Sequence, residues 1–438
     1  MMNKHWITLS ALLLIVSACD STTTSASAHT GLKAETAAAA SSGAAKNVVL
    51  TDISGHWGET SIQKAVKKGY VDGYEDATFR AEKEVSRAEF IKMVLTAMGP
   101  DTAAAAKPAV DVKQAGTEKE LTVSAAGEPA NWYDSFVQKA QELGIQRKED
   151  FKEGDMNAAM TRLEMARIAV RATDPTLQKP EVRIDDRSVM YNATKKGLIQ
   201  GLEAGDLAPD NTTTRAQSVT IIERILTVNS GGTLEVDKYA LGNAELALKK
   251  TNIFTVMPEL FGGQIFFPWN MDNLTIETSD GLYKGVVTRV VAVDLEDPND
   301  PNRGILGDLN ELVWRGGGNE YFNVLDYPES YLFVVETHTE FNNDESETFY
   351  RKSTKGLDFS LYGIQSPDDR VLRNGTLNSY ARVYHKDDKQ NALSAMILPK
   401  HGLQTNGGIT LRLRVTSHPS AGANFKDVFR VITPAIIE

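Results

Sequence analysis

Cysteine is almost missing from this chain, with one in 438 residues. A single thiol makes neither an internal disulfide nor a multi-thiolate metal site. Positive charge is short as well: 47 Lys and Arg stand against 58 Asp and Glu, a formal net charge of −11. That balance excludes a general electrostatic grip on nucleic acid, which needs a basic footprint. The apolar run Leu9 to Val16 is only about a dozen residues with its flanks, too short for a spanning helix. The rest is ordinary for a soluble globular protein, 41% hydrophobic and 24% charged, which excludes wholesale disorder and a multi-pass membrane protein. At roughly 150 residues per domain, the length suggests two or three domains.

The lone cysteine sits at the end of the apolar run. Lys4 and His5 precede the run, which closes on Val16-Ser17-Ala18-Cys19. This pattern has the form of a secretory signal and resembles the lipobox of bacterial lipoproteins. The resemblance implies a signal peptide over residues 1–18 and a diacylglyceryl thioether on Cys19, whose acyl chains would hold the protein on a membrane. Residues 20–46 are almost entirely Ser, Thr, Ala and Gly and cannot bury a core, so 19–47 reads as a lipidated tether. With 30 or so residues its reach is on the order of 30 Å.

Internal repetition is the strongest signal. Three arginines follow a hydroxyl residue, in Ser86-Arg87-Ala88-Glu89, Thr161-Arg162-Leu163-Glu164 and Thr214-Arg215-Ala216-Gln217. Gly69, Gly144 and Gly197 stand eighteen residues before them, and Ala65, Ala140 and Ala193 twenty-two before. Thirty before stand Trp57, Trp132 and Asp185. Each copy reads as an amphipathic helix ended by an αL glycine, a tight loop, and a second helix N-capped by Ser86, Thr161 or Thr214. Glu89 and Glu164 would complete capping boxes. Such a unit cannot bury its apolar stripe alone, whereas three packed around a pseudo-threefold axis can.

The run Asp52-Ile53-Ser54-Gly55-His56-Trp57, then Gly69-Tyr70-Val71-Asp72-Gly73-Tyr74, Thr78-Phe79-Arg80 and Ser86-Arg87-Ala88-Glu89 resembles the S-layer homology domain. The resemblance covers about residues 48 to 230, and three tandem copies are that family's usual set. It implies repeats at 48–100, at 101–174 with an insertion, and at 175–231. It also implies a three-lobed helical prism whose grooves bind a secondary cell-wall polysaccharide, often ending in a pyruvylated sugar. Arg87, Arg162 and Arg215 would then contact the ligand. A pyruvate ketal is a carboxylate, which arginine meets with a charge-assisted fork. Trp57, Tyr70, Tyr74 and Trp132 would lie against sugar faces, and Gly73 would let the backbone come close. Arginine and glutamate in each motif would equally cap a helix and brace neighbouring repeats. Ligand contact is the reading taken for Arg87 and Arg162, and both readings stand for Glu89 and Glu164. Gln217, Asp185 and Lys148 depart from the pattern. The first interval between motif arginines also carries about 20 extra residues after Val110, so one or two grooves are expected to bind, the Arg87 site being best preserved.

Beyond Gly231-Gly232 the texture changes. A helix is expected near Tyr239 to Lys250, followed by strands over Val286–Val293, Tyr331–Thr337, Tyr380–His385, Leu393–Leu398, Ile409–Thr416 and Val428–Ile432. Ser279-Asp280-Gly281, Arg373-Asn374-Gly375 and Asn406-Gly407-Gly408 read as turns. The pattern predicts a β-sandwich or barrel-like domain over residues 235–438. Its chemical signals are weak. Glu336, His338 and Glu340 share a strand face that would suit a metal, but a polar strand face is the reading taken. The loop Asp294 to Asp300 offers oxygens that calcium would accept, but Asx and Pro residues also simply make turns. No other cofactor is expected. Trp314-Arg315-Gly316 and Phe266-Phe267-Pro268-Trp269 are read as core packing rather than a sugar platform. The sequence reading is therefore an exported, wall-bound surface lipoprotein of a thick-walled bacterium that displays a β domain. The alternatives are a wall- or polysaccharide-modifying enzyme localised by the repeats, and a self-assembling surface-layer subunit.

Overall fold

The computed structural model describes residues 49–99, 131–151, 153–344, 357–415 and 424–432. Cys19 with its apolar run, the tether and the extra residues after Val110 lie outside them. Helices fill the first part: α1 (Glu59–Lys68), α2 (Arg87–Met98), α3 (Asp134–Glu142), α4 (Arg162–Ala172), α5 (Asp186–Lys195), α6 (Arg215–Asn229) and α7 (Lys238–Lys249). Gly69, Gly144 and Gly197 follow the first helix of each pair at φ of 76°, 69° and 71°, the left-handed turn expected of a stop. Ser86, Thr161 and Thr214 each form a full capping box. Gln217 completes the third, because its amide oxygen accepts the Thr214 N–H at 3.0 Å as a carboxylate would.

The packing order of these helices is cyclic. α3 lies on α2, α5 on α4, and α1 on α6, so the first helix of each pair rests on the second helix of another pair. At the centre, Val85 donates its N–H to the Thr213 carbonyl at 3.0 Å, Thr213 to Met160 at 2.9 Å, and Met160 to Val85 at 2.9 Å. All three residues are buried and immediately precede an N-cap. The next ring repeats the pattern: Arg87 donates to Ala158, Arg162 to Asn211 and Arg215 to Lys83. Backbone groups that would be orphaned at a buried helix entrance are thus satisfied between segments.

The second part holds two antiparallel sheets. The smaller has the order β1 (Gln264–Phe267), β11 (Asn424–Ile432), β10 (Thr405–Val415), β7 (Leu357–Ile364). The larger runs β2 (Thr275–Glu277), β3 (Tyr283–Asp294), β6 (Ser330–Asn342), β9 (Ala395–Pro399), β8 (Ala381–His385), β4 (Leu312–Arg315), β5 (Tyr321–Asn323). A core including Val287, Phe333, Leu411 and Phe429 lies between the sheets. Leu332, Val334, Val291 and Trp314 belong to a second core on the far face of the larger sheet, with Leu295, Leu309 and Leu372. Alternate β6 residues therefore serve different cores, which is why Tyr331–Val335 reads as an unbroken apolar run. One expected turn is corrected: Asn406-Gly407-Gly408 lies inside β10, at a register shift. A Cβ on Gly408 would sit 2.2 Å from the Val431 carbonyl, so glycine there lets β10 bulge against β7 while packed close to β11.

Candidate functional site

Two exposed tryptophans mark grooves at helix-pair junctions. Trp132, 51% exposed, precedes α3 and borders a groove of ≈ 540 Å³ with Lys83, Glu84, Ser86, Glu89 and Asn157. Its charges are largely engaged within the protein. Glu84 accepts from Thr212 at 2.6 Å, Lys83 donates to the Tyr74 hydroxyl at 3.1 Å, and the Lys92 ammonium lies 5.7 Å from the Trp132 ring centre. Two carboxylates on its wall disfavour an anion.

Trp57, 61% exposed, borders the second groove, ≈ 300 Å³, with Arg162, Gln200, Gly201, Gln217, Thr220 and Arg224. Arg162 donates to the Leu207 and Gln200 carbonyls at 2.9 and 2.7 Å. Arg224 donates to the Leu198 carbonyl and the Gln200 side chain at 3.3 and 2.7 Å. Among the described residues neither guanidinium forms an ion pair. Burial holds both below the ordinary arginine range, and for Arg224 the charge of Arg162 adds to it. Two neighbouring cations hydrogen-bonded to neutral acceptors present a positive field, which the Asp206 carboxylate near Arg162 offsets in part. Gln217 contributes to this, since the equivalent positions in the other segments are Glu89 and Glu164.

The third junction differs. Asp185 stands where the tryptophans stand and caps α5 through the Ser188 N–H at 2.7 Å. Arg167, equivalent by register to Lys92 and Thr220, is paired with Asp186 at 2.6 Å.

Arg162 is itself buried, and most of the other expected site residues turn inward as well. Arg87 is buried and donates from Nε and Nη2 to the Glu164 carboxylate at 3.1 and 2.6 Å, and from Nη1 to the Asp155 carbonyl. Arg215, also buried, donates to the Phe79 and Asp72 carbonyls at 3.0 and 3.2 Å. Tyr70 is buried with its hydroxyl on Glu223, and burial with that carboxylate pushes its pKa far up. Tyr74 carries the Arg80 guanidinium 3.9 Å from its ring centre. A Cβ on Gly73 would lie 2.6 Å from Leu50 and 3.2 Å from the Thr78 carbonyl, so its bareness serves loop packing. Sequence reasoning missed Arg224 and Thr220. Register was the available signal, since Arg224 aligns with Arg171, whose guanidinium is paired with buried Asp150.

In the β part, Glu336 is paired with Arg289 and Glu340 with Lys284. Among the described residues no group of three His, Cys, Asp or Glu is placed to hold a metal. Asp294 and Asp297 meet Lys400 and Lys238 at 2.7 and 2.6 Å, while Asp300 accepts the Asp294 and Asn302 N–H groups. Trp314 is buried, Trp269 is partly buried and Phe266 is exposed.

A family model for the S-layer homology domain matches residues 50–91 and 184–217. Over 194 residues the chain is 29% identical to an exoglucanase XynX of Acetivibrio thermocellus, covering 41% of this chain and 16% of that protein. It is 29% identical over 190 residues to an amylopullulanase of Thermoanaerobacterium thermosulfurigenes, covering 40% and 9%. A cellulosome-anchoring protein of Acetivibrio thermocellus matches at 44% over 45 residues, 10% of each chain. The chain thus spans about a sixth or less of each of these relatives.

Proposed function

Because the chain carries S-layer homology domain sequence, we propose that its helical part anchors the protein to the cell wall by gripping an anionic wall polysaccharide in the Trp57 groove. The observation that carries this is the juxtaposition of the exposed indole with Arg162 and Arg224, neither of them ion-paired among the described residues. A sugar face can lie on the indole while a carboxylate, such as a pyruvate ketal, meets the two guanidiniums. The cyclic bonding of Val85, Met160 and Thr213 supports reading residues 101–174 as a third copy between those at 48–100 and 175–231, closed into a three-lobed prism. Residues 235–438 would be the displayed domain. A lipid on Cys19 would add a membrane attachment; incorporation of a palmitate analogue, abolished by Cys19→Ala, checks it.

Purified, protein-stripped sacculi test the groove. Trp57→Ala and Arg224→Gln are each expected to lower retention at least tenfold, and wild-type retention of both would overturn the assignment. A second reading, an enzyme held in place by its helical part, draws on the enzyme names of two relatives. Release of reducing ends from purified wall polysaccharide decides it.

A further inference from the structure

Exposed apolar side chains are not scattered over this molecule. Of eleven large ones among the described residues, Trp57 and Leu202 border one helical groove and Trp132 the other. Six lie beyond residue 240: Ile265, Phe266, Tyr362, Phe425 and Ile432 on the four-stranded sheet, and Met271 in the turn packed on β11. A concentration of this kind on one sheet marks an interaction surface.

The outer face has a definite chemistry. Tyr362, Thr410 and Arg430 form one row across β7, β10 and β11, Ser360, Arg412 and Asp427 the next, and Asp358, Arg414 and Phe425 the third. The Arg412 guanidinium lies 4.7 Å from the Tyr362 ring centre and 4.4 Å from that of Phe425, and is held in plane by Asp427 at 2.9 Å. Arg414 meets Asp358 at 3.0 Å. Arg430 stacks 4.7 Å from the centre of Phe266, which is 66% exposed, and has no carboxylate partner among the described residues. Three arginines against two aspartates leave the face cationic on a chain of net charge −11.

We propose that this face is a second binding site, separate from the helical grooves, for an extended anionic polysaccharide. Phe266, Tyr362 and Phe425 offer apolar ring surface to the C–H faces of sugars, and Arg430 offers a free guanidinium edge to a carboxylate. Size decides against a second protein. Four strands about 4.8 Å apart, and three rows spanning about 14 Å, give roughly 300 Å². A stable protein interface takes about 800 Å² from each partner. A single polysaccharide strand needs only a narrow track, and the uncompensated cation selects an anionic one.

The test uses the full chain carrying Trp57→Ala and Arg224→Gln, so that the helical groove does not contribute. Its mobility is measured in gels containing polygalacturonate or neutral dextran, and its retention on protein-stripped sacculi. Polygalacturonate or sacculi should retard it and dextran should not. Adding Phe266→Ala with Phe425→Ala should lower the affinity at least tenfold, and Arg430→Ala severalfold, with partial rescue by Arg430→Lys. These side chains are exposed, so unchanged melting temperatures separate lost binding from lost fold. The proposal is overturned if neither anionic matrix retards the parent, if the aromatic double variant binds like it, or if dextran binds equally. It is also overturned if the same substitutions abolish a concentration-dependent dimer in sedimentation, which would make the face a protein interface.

Discussion

Arg87 and Trp57 illustrate two fates for a residue in a repeated motif. The Arg87 guanidinium and the Glu164 carboxylate are both buried and form a forked pair between two helix pairs. Truncating one partner strands the other charge, so Arg87→Ala should cost about 3–5 kcal/mol in urea unfolding. Replacing both by apolar side chains of similar volume should cost far less, because the desolvation penalty disappears with the pair. Trp57→Ala should leave the midpoint almost unchanged, since most of its ring is already in water. Spacing places Arg87, Arg162 and Arg215 at one position of three copies but says nothing about direction. Direction depends on what the neighbouring segment offers: a carboxylate for Arg87, and carbonyls for Arg162 and Arg215. Residue pattern therefore located the arginines without separating brace from contact.

Elements were more legible than side-chain roles, and the reason is local chemistry. Glycine stops and hydroxyl caps act within one turn of their own position, so α1 ends, and α2, α4 and α6 begin, where the motifs place them. The β10 bulge escaped because Asn-Gly-Gly has the composition of a turn, and only the pairing on either side of it with β7 makes it a bulge. Helix α7 carries a feature that no periodicity marks. Glu245 is fully buried, with one carboxylate oxygen on the Thr255 hydroxyl and the other lacking a hydrogen-bond partner, the Lys249 ammonium being 3.7 Å away. Burial pushes its pKa up. The folded state then holds a proton that the unfolded chain releases, so this group's contribution to stability falls as pH rises above the ordinary glutamate range near 4.3. Glu245→Gln should be more stable than wild type by on the order of 1 kcal/mol at pH 8. The gain should vanish below pH 4, as read from urea midpoints across that range. A gain independent of pH would refute the titration argument.

At the scale of the molecule, the groove and the β part are mechanically joined. Asp237 caps α7 through the Tyr239 and Ala240 N–H groups, and its other oxygen accepts the N–H of Gly201, which lines the Trp57 groove. Asn243 holds the same loop through the Ala204 and Gly205 carbonyls, and a Cβ on Gly205 would lie 2.5 Å from Tyr239. Asp237→Ala should therefore weaken sacculus retention severalfold and cost about 1 kcal/mol of stability from the lost cap. Measuring both in one protein distinguishes loop positioning from general loosening. Electrostatics at this scale makes a sharper prediction. A chain of net charge −11 approaching an anionic polymer is repelled at long range, whereas in the proposed groove a few guanidiniums would hold it at contact. The Debye length is about 30 Å at 0.01 M salt, about 8 Å at 0.15 M and about 3 Å at 1 M. Moderate salt therefore removes the repulsion of the whole molecule while sparing contacts a few ångströms long, and high salt weakens those too. Retention on sacculi should rise from 0.01 M to about 0.15 M and fall toward 1 M. In Arg224→Gln the rise should persist and the fall flatten, because the long-range charge is hardly changed while one contact is gone. A monotonic fall from the lowest salt would instead mean that a broad cationic surface grips the polymer, against the local-charge account of the Trp57 groove.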